Sequence, residues 1–304
     1  MKKEQLQTLI KWAEQQGIPY LANAPMREYT TFRVGGPADL LISPKSAEQI
    51  RAVLQMCRQE GAPVTLLGNG SNVLVRDGGI RGVVLRLGSE FSQIQIEGNM
   101  VVAQAGAKLA AVVNTALGAG LVGMEFAGGI PGSVGGGIYM NAGAYGGELS
   151  QVLHSALVLT ADLEIVQMPR EALALSYRHS ALMENGALAL EGRFCLEPGD
   201  TAAAREYLRE LGARRREKQP LDLPSAGSTF KRPAGHYAGA LIEAAGLKGF
   251  CIGGAQVSEK HAGFVVNRGG SAADILALIR HVQECVLAQS GIWLEPEVLI
   301  LGED

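Results

Sequence analysis

Hydrophobic residues follow two kinds of spacing along the chain, and the two alternate irregularly. Leu6, Leu9 and Ala13, for example, recur at the spacing that places them on one face of a helix. Helical spacing predicts helices over residues 3–16, 108–117, 201–218, 238–245 and 272–288, and one more that begins at Ser46. Short apolar or alternating runs predict strands over residues 38–42, 64–67, 83–87, 94–97, 100–103, 152–159 and 164–168, within 187–196, and over 292–301. Several predicted strands follow one another directly, which favours an α+β fold over a doubly wound parallel sheet.

Glycine is concentrated in residues 118–147, where twelve of the thirty residues are glycine. This glycine-rich stretch has no repeated Ser, Gln or Pro, so its composition is not that of a linker. Phe126, Ile130 and Ile138 are threaded through it, so the segment can be buried. Because glycine loses much conformational entropy on folding, such a content is expected where backbone lies against a large flat or charged group. We expect that group to be a cofactor with phosphates.

Composition and charge narrow the class of protein. The chain has 304 residues, of which 47% are hydrophobic and 19% charged, and this suits two domains with packed cores. A net charge of -3 gives no electrostatic reason to expect a nucleic-acid partner. No apolar run reaches the length of a membrane span, and the first residues lack the apolar core of a signal peptide.

The cysteines favour a reducing compartment. Cys57, Cys195, Cys251 and Cys285 are widely spread and match no metal-ligand spacing. We therefore expect buried free thiols and no metal site. Such thiols are typical of cytoplasmic proteins, so we predict a cytoplasmic location.

Two amide-rich segments are candidates for binding phosphate. Gly68-Asn69-Gly70-Ser71-Asn72 follows a predicted strand, and successive N–H groups in such a loop can point into one concavity that binds an anion. An ordinary Asn-Gly hairpin turn is the competing interpretation. The run from Gly128 to Gly135 is a second amide-rich segment, with the Ser133 hydroxyl as a further donor. Two such loops suit a pyrophosphate. Neither a GxGxxG motif in a dinucleotide-domain layout nor a GxxxxGK[ST] motif is present.

Three further motifs carry chemistry. Tyr177 and Arg178 put a guanidinium beside a phenol, although a surface arginine explains this pair as well. Ser228 follows a glycine and precedes Lys231 by three residues, but a simple serine-rich loop would look the same. Glu295 and Glu297 share one face of the predicted closing strand, and two solvent-facing glutamates on an edge strand would give that pattern too. The residues alone do not choose between the two glutamates.

Seven motifs in order now resemble a known family. They are TTFRVGGPA, LGNGSNVLVRDGG, EFAGGIPGSVGGGIYMNAGAYGGE, SYRHS, SAGSTFKRP, GGAQVSEKHAGFVVN and LEPEV. Their order over about residues 25–300 resembles the UDP-N-acetylenolpyruvoylglucosamine reductases, and the combination is highly specific although no single motif is.

The resemblance implies a fold and a reaction. The fold is an α+β FAD-binding domain of the vanillyl-alcohol-oxidase (PCMH) type over residues 1–218, with two subdomains split near residue 100, and a smaller α+β substrate-binding domain over residues 219–304. In the reaction NADPH reduces FAD, and the flavin then reduces UDP-N-acetylglucosamine enolpyruvate to UDP-N-acetylmuramate, a peptidoglycan precursor. We expect non-covalent FAD, because neither amide-rich segment contains a histidine or cysteine that would attach it. The expected partners are these small molecules only, and the expected state is a monomer.

The resemblance also implies site residues. Catalysis is assigned to Arg178, Ser228 and Glu297, with Glu297 chosen over Glu295 by the motif. The predicted cofactor-binding residues are Gly68, Asn69, Gly70, Ser71, Asn72, Gly128, Gly129, Ile130, Gly132, Ser133, Val134 and Gly143. Predicted substrate contacts are Tyr177, Lys231 and Gln256.

Two positions depart from the family's usual motifs. Arg232 stands in FKRP where asparagine is usual, and Gly263 stands in HAGF where asparagine is common. The chain also resembles the compact subtype that lacks an inserted tyrosine-bearing loop over the active site. Two other classes would explain part of the pattern. An FAD-dependent oxidase of the same superfamily shares the flavin loops but has no need of SYR, AGS and LEPEV, and a nucleotide-sugar-binding module needs no flavin.

Overall fold

A computed structural model describes residues 1–304 as a mixture of helices and strands. The α-helices α1 to α8 span, in chain order, Lys3–Gln15, Ala47–Gln59, Leu109–Gly118, Val134–Tyr139, Leu182–Asn185, Thr201–Lys218, Ala238–Ala244 and Ala272–Ser290. The strands β1 to β18 span Tyr20–Pro25, Pro37–Ile42, Val64–Leu67, Val73–Val75, Ile80–Arg86, Ile94–Glu97, Met100–Gln104, Leu121–Val122, Gly143–Ala144, Gly147–Glu148, Leu153–Leu159, Ile165–Pro169, Leu188–Cys195, Glu197–Pro198, Cys251–Ile252, Ala255–Val257, Val265–Asn267 and Leu299–Leu301. None of the helices combines the length and the apolar character needed to cross a bilayer.

The chain forms two compact units, each assembled from segments that are distant in sequence. The first unit comprises Met1–Leu21, Leu41–Asn69 and Val83–Arg214. The second comprises Ala22–Leu40, Gly70–Gly82 and Arg215–Asp304. The sequence instead suggests two domains that are each continuous in sequence, with the boundary after residue 218. That boundary stays a prediction.

A five-stranded antiparallel sheet forms the centre of the first unit, in the order β12-β11-β13-β7-β6. The two strands predicted over residues 152–159 and 164–168 are present and form a hairpin, because β11 pairs with β12 from Ser155 opposite Pro169 to Leu159 opposite Ile165. Helices α3 and α4 contribute apolar side chains to the same core as these strands, and Ile138 of α4 and Phe194 of β13 are both fully buried there. This packing holds the glycine-rich stretch against the sheet.

The second unit is built around α8 and a three-stranded antiparallel sheet in the order β15-β16-β17. Ile275, Leu278 and Val282 repeat at helical spacing along α8, and all three are fully buried in the core of this unit. The parallel pair of β4 and β18 joins the segment Gly70–Gly82 to the C-terminal end of the chain. A separate four-stranded sheet has the order β1-β2-β5-β3.

The prediction of a strand over residues 292–301 is wrong for most of its length. Only Leu299–Leu301 forms a strand, and residues 292–298 are irregular except for a single bridge between Phe230 and Pro296. Proline has no N–H to donate to a strand ladder, which limits pairing at this point. The strand Tyr20–Pro25, in turn, was not predicted, since its residues lack an apolar alternation.

The prediction of buried thiols holds only for Cys57, because Cys195 and Cys251 are exposed and Cys285 is half-buried. Burial raises the pKa of the Cys57 thiol to about 12. Exposure of Cys195 follows from its position at the end of β13, where alternation turns the side chain outward.

We predict that Asp77→Ala destabilises the second unit by about 1 kcal/mol, the usual effect of losing a helix cap. The Asp77 carboxylate accepts hydrogen bonds from the N–H groups of Ala272 and Ala273, both at 2.9 Å, at the positive end of the α8 dipole. Urea unfolding measures the change. Asp162→Ala, which removes the same charge from an exposed turn, should leave stability unchanged. Equal effects of the two substitutions would mean that net charge and not the cap is responsible.

Candidate active site

The loop Gly68–Asn72 connects two strands that belong to different sheets. Strand β3 pairs in parallel with β5, and β4 pairs in parallel with β18. The loop is therefore not a hairpin turn, which removes the competing interpretation of this motif. Gly70 has a φ of +61°, and a Cβ there would lie 2.0 Å from the carbonyl oxygen of Tyr29, so only glycine fits. The backbone N–H groups of residues 69–72 donate no hydrogen bond within the chain.

Ser133 is the buried polar group of the glycine-rich stretch. It is the residue that precedes α4, it is 2% exposed, and its Oγ has no hydrogen-bond partner in the chain. A buried hydroxyl without a partner costs about 1–3 kcal/mol. Gly68 lies beside it, since a Cβ on Gly68 would be 2.6 Å from Ser133 Oγ. Gly68 and Ser133 thus lie side by side within the first unit, and the Ser133 hydroxyl is a donor that fits an anionic oxygen such as that of a phosphate.

The other predicted cofactor-binding residues differ in their surroundings. Val134 is fully buried, and its N–H donates to the carbonyl of Ala107 at 2.8 Å, so this amide is used within the fold. Gly143 lies in β9, where a Cβ would be 2.7 Å from the carbonyl oxygen of Gly147. The remaining members are partly or fully exposed: Gly128, Gly129, Ile130 and Gly132. A binding role for each of these residues stays a prediction.

Tyr177 and Arg178 form the corner of a tight turn in the first unit. Ser176 and His179 close the turn by exchanging backbone hydrogen bonds of 3.2 and 3.1 Å. Arg178 has a φ of +55°, which is uncommon for a residue with a Cβ. Its guanidinium carbon lies 5.2 Å from the centre of the Tyr177 ring, and Tyr177 is 52% exposed. The turn therefore presents the guanidinium and the phenol together.

Ser228 and Glu297 belong to the second unit and are connected through Thr229. The N–H of Glu297 donates to the carbonyl of Thr229 at 2.8 Å. Thr229 is fully buried; its own N–H donates to Gly263, and its Oγ1 accepts from the N–H of Val265 at 3.0 Å. Ser228, its neighbour in the chain, is exposed. A rigid, buried threonine thus places an exposed serine next to the segment that carries the glutamate.

Asn72 holds the other side of Glu297. Its Nδ2 donates to the carbonyl oxygen of Glu297 at 3.0 Å, and its own carbonyl accepts from Leu299 at 3.0 Å. The sequence predicts a cofactor contact for Asn72, whereas here its side chain fixes the backbone of a predicted catalytic residue. Sequence reasoning missed this link because the two residues are 225 positions apart.

The predicted substrate residues of the second unit have partners within the protein. Lys231 Nζ lies 3.2 Å from Glu295 Oε2, and the backbone N–H of Lys231 donates to Glu295 as well. Glu295 is thus paired with the lysine through both its side chain and its backbone. Gln256 is 6% exposed and donates from Nε2 to the carbonyl of Gly249 at 3.2 Å. Substrate contact by either residue stays a prediction.

The structure shows what Arg232 and Gly263, the two residues that depart from the family motifs, contact. The guanidinium of Arg232 lies over the ring of Tyr237 at 4.5 Å, a cation–π contact on the surface. Gly263 donates its N–H to Nδ1 of His261 at 3.0 Å, and a Cβ on Gly263 would lie 2.9 Å from the imidazole Cε1. Glycine at position 263 therefore allows the imidazole to lie against the backbone.

The fold and these loops define an FAD-binding protein. Residues 38–168 match the family model of an FAD binding domain, and residues 219–301 match the C-terminal domain of UDP-N-acetylenolpyruvoylglucosamine reductase. The UDP-N-acetylenolpyruvoylglucosamine reductases of Agathobacter rectalis and Latilactobacillus sakei are 50% and 51% identical to the chain, over 98% and 95% of its length and 99% and 95% of theirs. The chain belongs to the UDP-N-acetylenolpyruvoylglucosamine reductase family.

A solved structure agrees with this assignment. The crystal structure of UDP-N-acetylenolpyruvylglucosamine reductase from Thermus caldophilus superimposes with a TM-score of 0.80 at 35% identity, covering 94% of this chain and 99% of that one. The predicted α+β class, with an FAD-binding domain followed by a smaller C-terminal domain, is confirmed.

We predict that His261 makes the stability of the protein depend on pH. Burial lowers the pKa of its imidazole; a backbone hydrogen bond opposes this effect, and the charges of Lys248 and Glu243 make smaller contributions that lower and raise the pKa, respectively. The unfolded chain, whose histidine titrates near 6.5, then binds the proton more readily than the folded state. This contribution to stability is present above about pH 6.5 and is lost as the pH falls through the lower folded pKa. In His261→Gln the measured free energy of unfolding should fall less steeply between pH 7 and pH 5 than it does in the parent protein. An identical slope in the two proteins would contradict the lowered pKa of His261.

Proposed function

We propose that Arg178, Ser228 and Glu297 are the catalytic groups of a flavin-dependent reductase. As a member of its family, the protein uses FAD and NADPH to reduce UDP-N-acetylglucosamine enolpyruvate to UDP-N-acetylmuramate in peptidoglycan precursor synthesis. The observation that supports the roles of Ser228 and Glu297 is the hydrogen bonding through Thr229, which holds the two residues in one rigid framework.

The flavin site is formed by the two amide-rich segments. When bound there and reduced by NADPH, FAD would supply the hydride for the terminal carbon of the enolpyruvyl group. Ser133 Oγ would bind a phosphate of the cofactor, since it is buried without a protein partner, and the amides of residues 69–72 are further proposed phosphate donors. The attachment is non-covalent, because residues 68–72 and 118–147 contain neither histidine nor cysteine.

Arg178 and Glu297 stabilise negative charge on the substrate. An enol ether is electron-rich and resists hydride addition unless the charge that arrives on its carboxylate is neutralised. The guanidinium of Arg178 matches a carboxylate in geometry and charge. A protonated Glu297 donates a hydrogen bond to the same developing charge. Both groups act mainly in the transition state, where such electrostatic stabilisation is most effective.

Ser228 then donates a proton to the carbon next to the carboxylate. A serine hydroxyl is a weak acid, but the enolate-like intermediate is a strong base, so a positioned hydroxyl suffices. Proton transfer of this kind contributes about 10²–10⁴-fold to rate. Ser228 is exposed, so solvent reprotonates it after each turnover. Lys231, which is ion-paired with Glu295, is a proposed substrate contact, as are Tyr177 and Gln256.

The substrates are small molecules, and we propose that the protein acts as a cytoplasmic monomer. Support for a monomer is that one chain contains all of the proposed flavin and catalytic residues. Support for the cytoplasm is that its four cysteines are free thiols, which a reducing compartment preserves. Sedimentation equilibrium tests the first statement: a dimer at micromolar concentration would contradict it.

We predict that Ser133→Ala weakens FAD binding about tenfold without lowering the stability of the FAD-free protein. Hydrogen bonds to charged groups contribute about 1.5–3 kcal/mol, and 1.4 kcal/mol corresponds to tenfold in affinity. Fluorescence titration of the apoprotein with FAD and urea unfolding measure the two quantities. Ser155→Ala is the matched control: Ser155 is buried in β11 and accepts from Gln167 at 2.7 Å, so its loss should lower stability and leave FAD affinity unchanged. Unaltered FAD affinity in Ser133→Ala would exclude the proposed contact.

We predict that Ser228→Ala leaves anaerobic reduction of the bound flavin by NADPH near normal and slows its reoxidation by the enolpyruvyl sugar nucleotide by 10²-fold or more, roughly the contribution of a positioned acid. Stopped-flow absorbance separates the two half-reactions. Ser225→Ala, a half-buried serine in the same loop, should change neither. An equal loss in both half-reactions would refute the acid role. Fast reoxidation by oxygen without the sugar nucleotide would indicate an oxidase instead.

A further inference from the structure

The turn that presents Arg178 adopts a backbone conformation that its own residues do not favour. Arg178 has a φ of +55° with a full side chain, and the turn contains no glycine. Such conformations persist where the surrounding structure imposes them, and they are concentrated at functional sites. The groups that impose this one therefore determine where the guanidinium lies.

Two buried side-chain hydrogen bonds hold the turn from its two ends. Asn141 Nδ2 donates to the carbonyl oxygen of Ser176 at 3.1 Å, just before the Tyr177–Arg178 corner. Ser180 Oγ donates to the carbonyl oxygen of Tyr139 at 2.7 Å, just after it. Asn141 is 1% exposed and Ser180 is 0% exposed. Both bonds connect the turn to the residues that end α4, which belongs to the glycine-rich stretch.

Asn141 is itself fixed at both ends of its amide. Its Oδ1 accepts from the N–H of Ser150 at 3.0 Å, while its Nδ2 faces the Ser176 carbonyl, so the orientation of the amide is set by its partners. Its φ of +42° is another left-handed conformation, which asparagine tolerates better than most residues. A carboxylate of the same shape would keep the Ser150 bond and lose the bond to the turn.

We propose that Asn141 is a positioning residue for Arg178. Because α4 begins just after Ser133 and ends at Tyr139, this asparagine links the proposed flavin loop to the guanidinium that stabilises charge on the substrate. A displacement of about 1 Å in such a group can lower a rate by 10²-fold. The inference rests on the proposed catalytic role of Arg178. Asn141 acts only through that side chain and does not contact the substrate.

If Asn141 positions Arg178, its substitution should slow only the half-reaction in which the substrate reoxidises the flavin. In Asn141→Asp, reduction of the bound flavin by NADPH and the affinity for FAD stay within about twofold of the parent protein. The rate constant for reoxidation at saturating enolpyruvyl sugar nucleotide falls about 10–100-fold, the range expected for a misplaced charged group. Ser180→Ala removes the opposite hydrogen bond and should give a smaller loss of the same kind. Ser155→Ala is a buried-serine control away from the turn and should affect neither half-reaction.

A double-mutant cycle decides whether the effect passes through Arg178. In an Arg178→Ala background, Asn141→Asp should cause no further loss in the reoxidation step, because the group that it positions is gone. If the two losses multiply, Asn141 acts independently and the inference is overturned. Equal losses in both half-reactions, or loss of FAD binding, would also overturn it. If Asn141→Asp does not fold, the same cycle with Ser180→Ala decides the question by the same criteria.

The cycle also separates this inference from the proposed function. If Arg178→Ala alone leaves reoxidation unchanged, the proposed catalytic role of Arg178 fails, whatever Asn141 does. If Arg178→Ala slows reoxidation and Asn141→Asp does not, the catalytic role stands and only the positioning role is lost.

Discussion

The close approach of Gly68 to Ser133 is the contact on which the proposed flavin site depends. A Cβ at position 68 would lie 2.6 Å from the serine hydroxyl, so a side chain there would displace that hydroxyl from its present position. The hydroxyl is left buried and without a protein partner, a cost that folding tolerates when a ligand supplies the missing acceptor. Within residues 118–147 the glycines that leave no room for a side chain pack against the protein itself, since a Cβ on Gly137 would lie 2.9 Å from Leu149 and one on Gly147 2.5 Å from Phe126.

The same stretch contributes more than a cofactor loop. It leads into α4 at Ser133 and continues to Asn141, whose side chain holds the turn of Arg178. The stretch contains only Glu125, Tyr139 and Tyr145 as ionisable residues, so the proposed charge chemistry comes from elsewhere in the chain. A short helix, α4, nevertheless connects the proposed flavin loop with the turn that carries the proposed catalytic residue Arg178. The connection is made by side-chain hydrogen bonds to main-chain carbonyl groups. Every residue has such a carbonyl, whatever its side chain.

In the second unit, too, hydrogen bonds from residues distant in sequence fix the backbone of a proposed catalytic residue. Glu297 is held at its N–H by Thr229 and at its carbonyl by Asn72. Fixing the backbone on both sides limits the positions that the carboxyl group can reach, which favours a site organised before the substrate binds. The backbone of the neighbouring Glu295 bonds to Lys231, so two glutamates that look equivalent in sequence have different backbone partners.

Periodicity and motif chemistry determined much of this protein from sequence alone. Helices such as Thr201–Lys218, the hairpin of β11 and β12, the α+β class and the family followed from local spacing and motif order. These features are local, because helices and hairpins depend on residues close in sequence. The roles of Asn72 and Asn141, the parallel pairing of β4 with β18, and the exposure of Cys251 were decided only by tertiary structure. Each depends on residues that are distant in sequence, and hydrophobic spacing carries no information on which distant backbone group a polar side chain will meet.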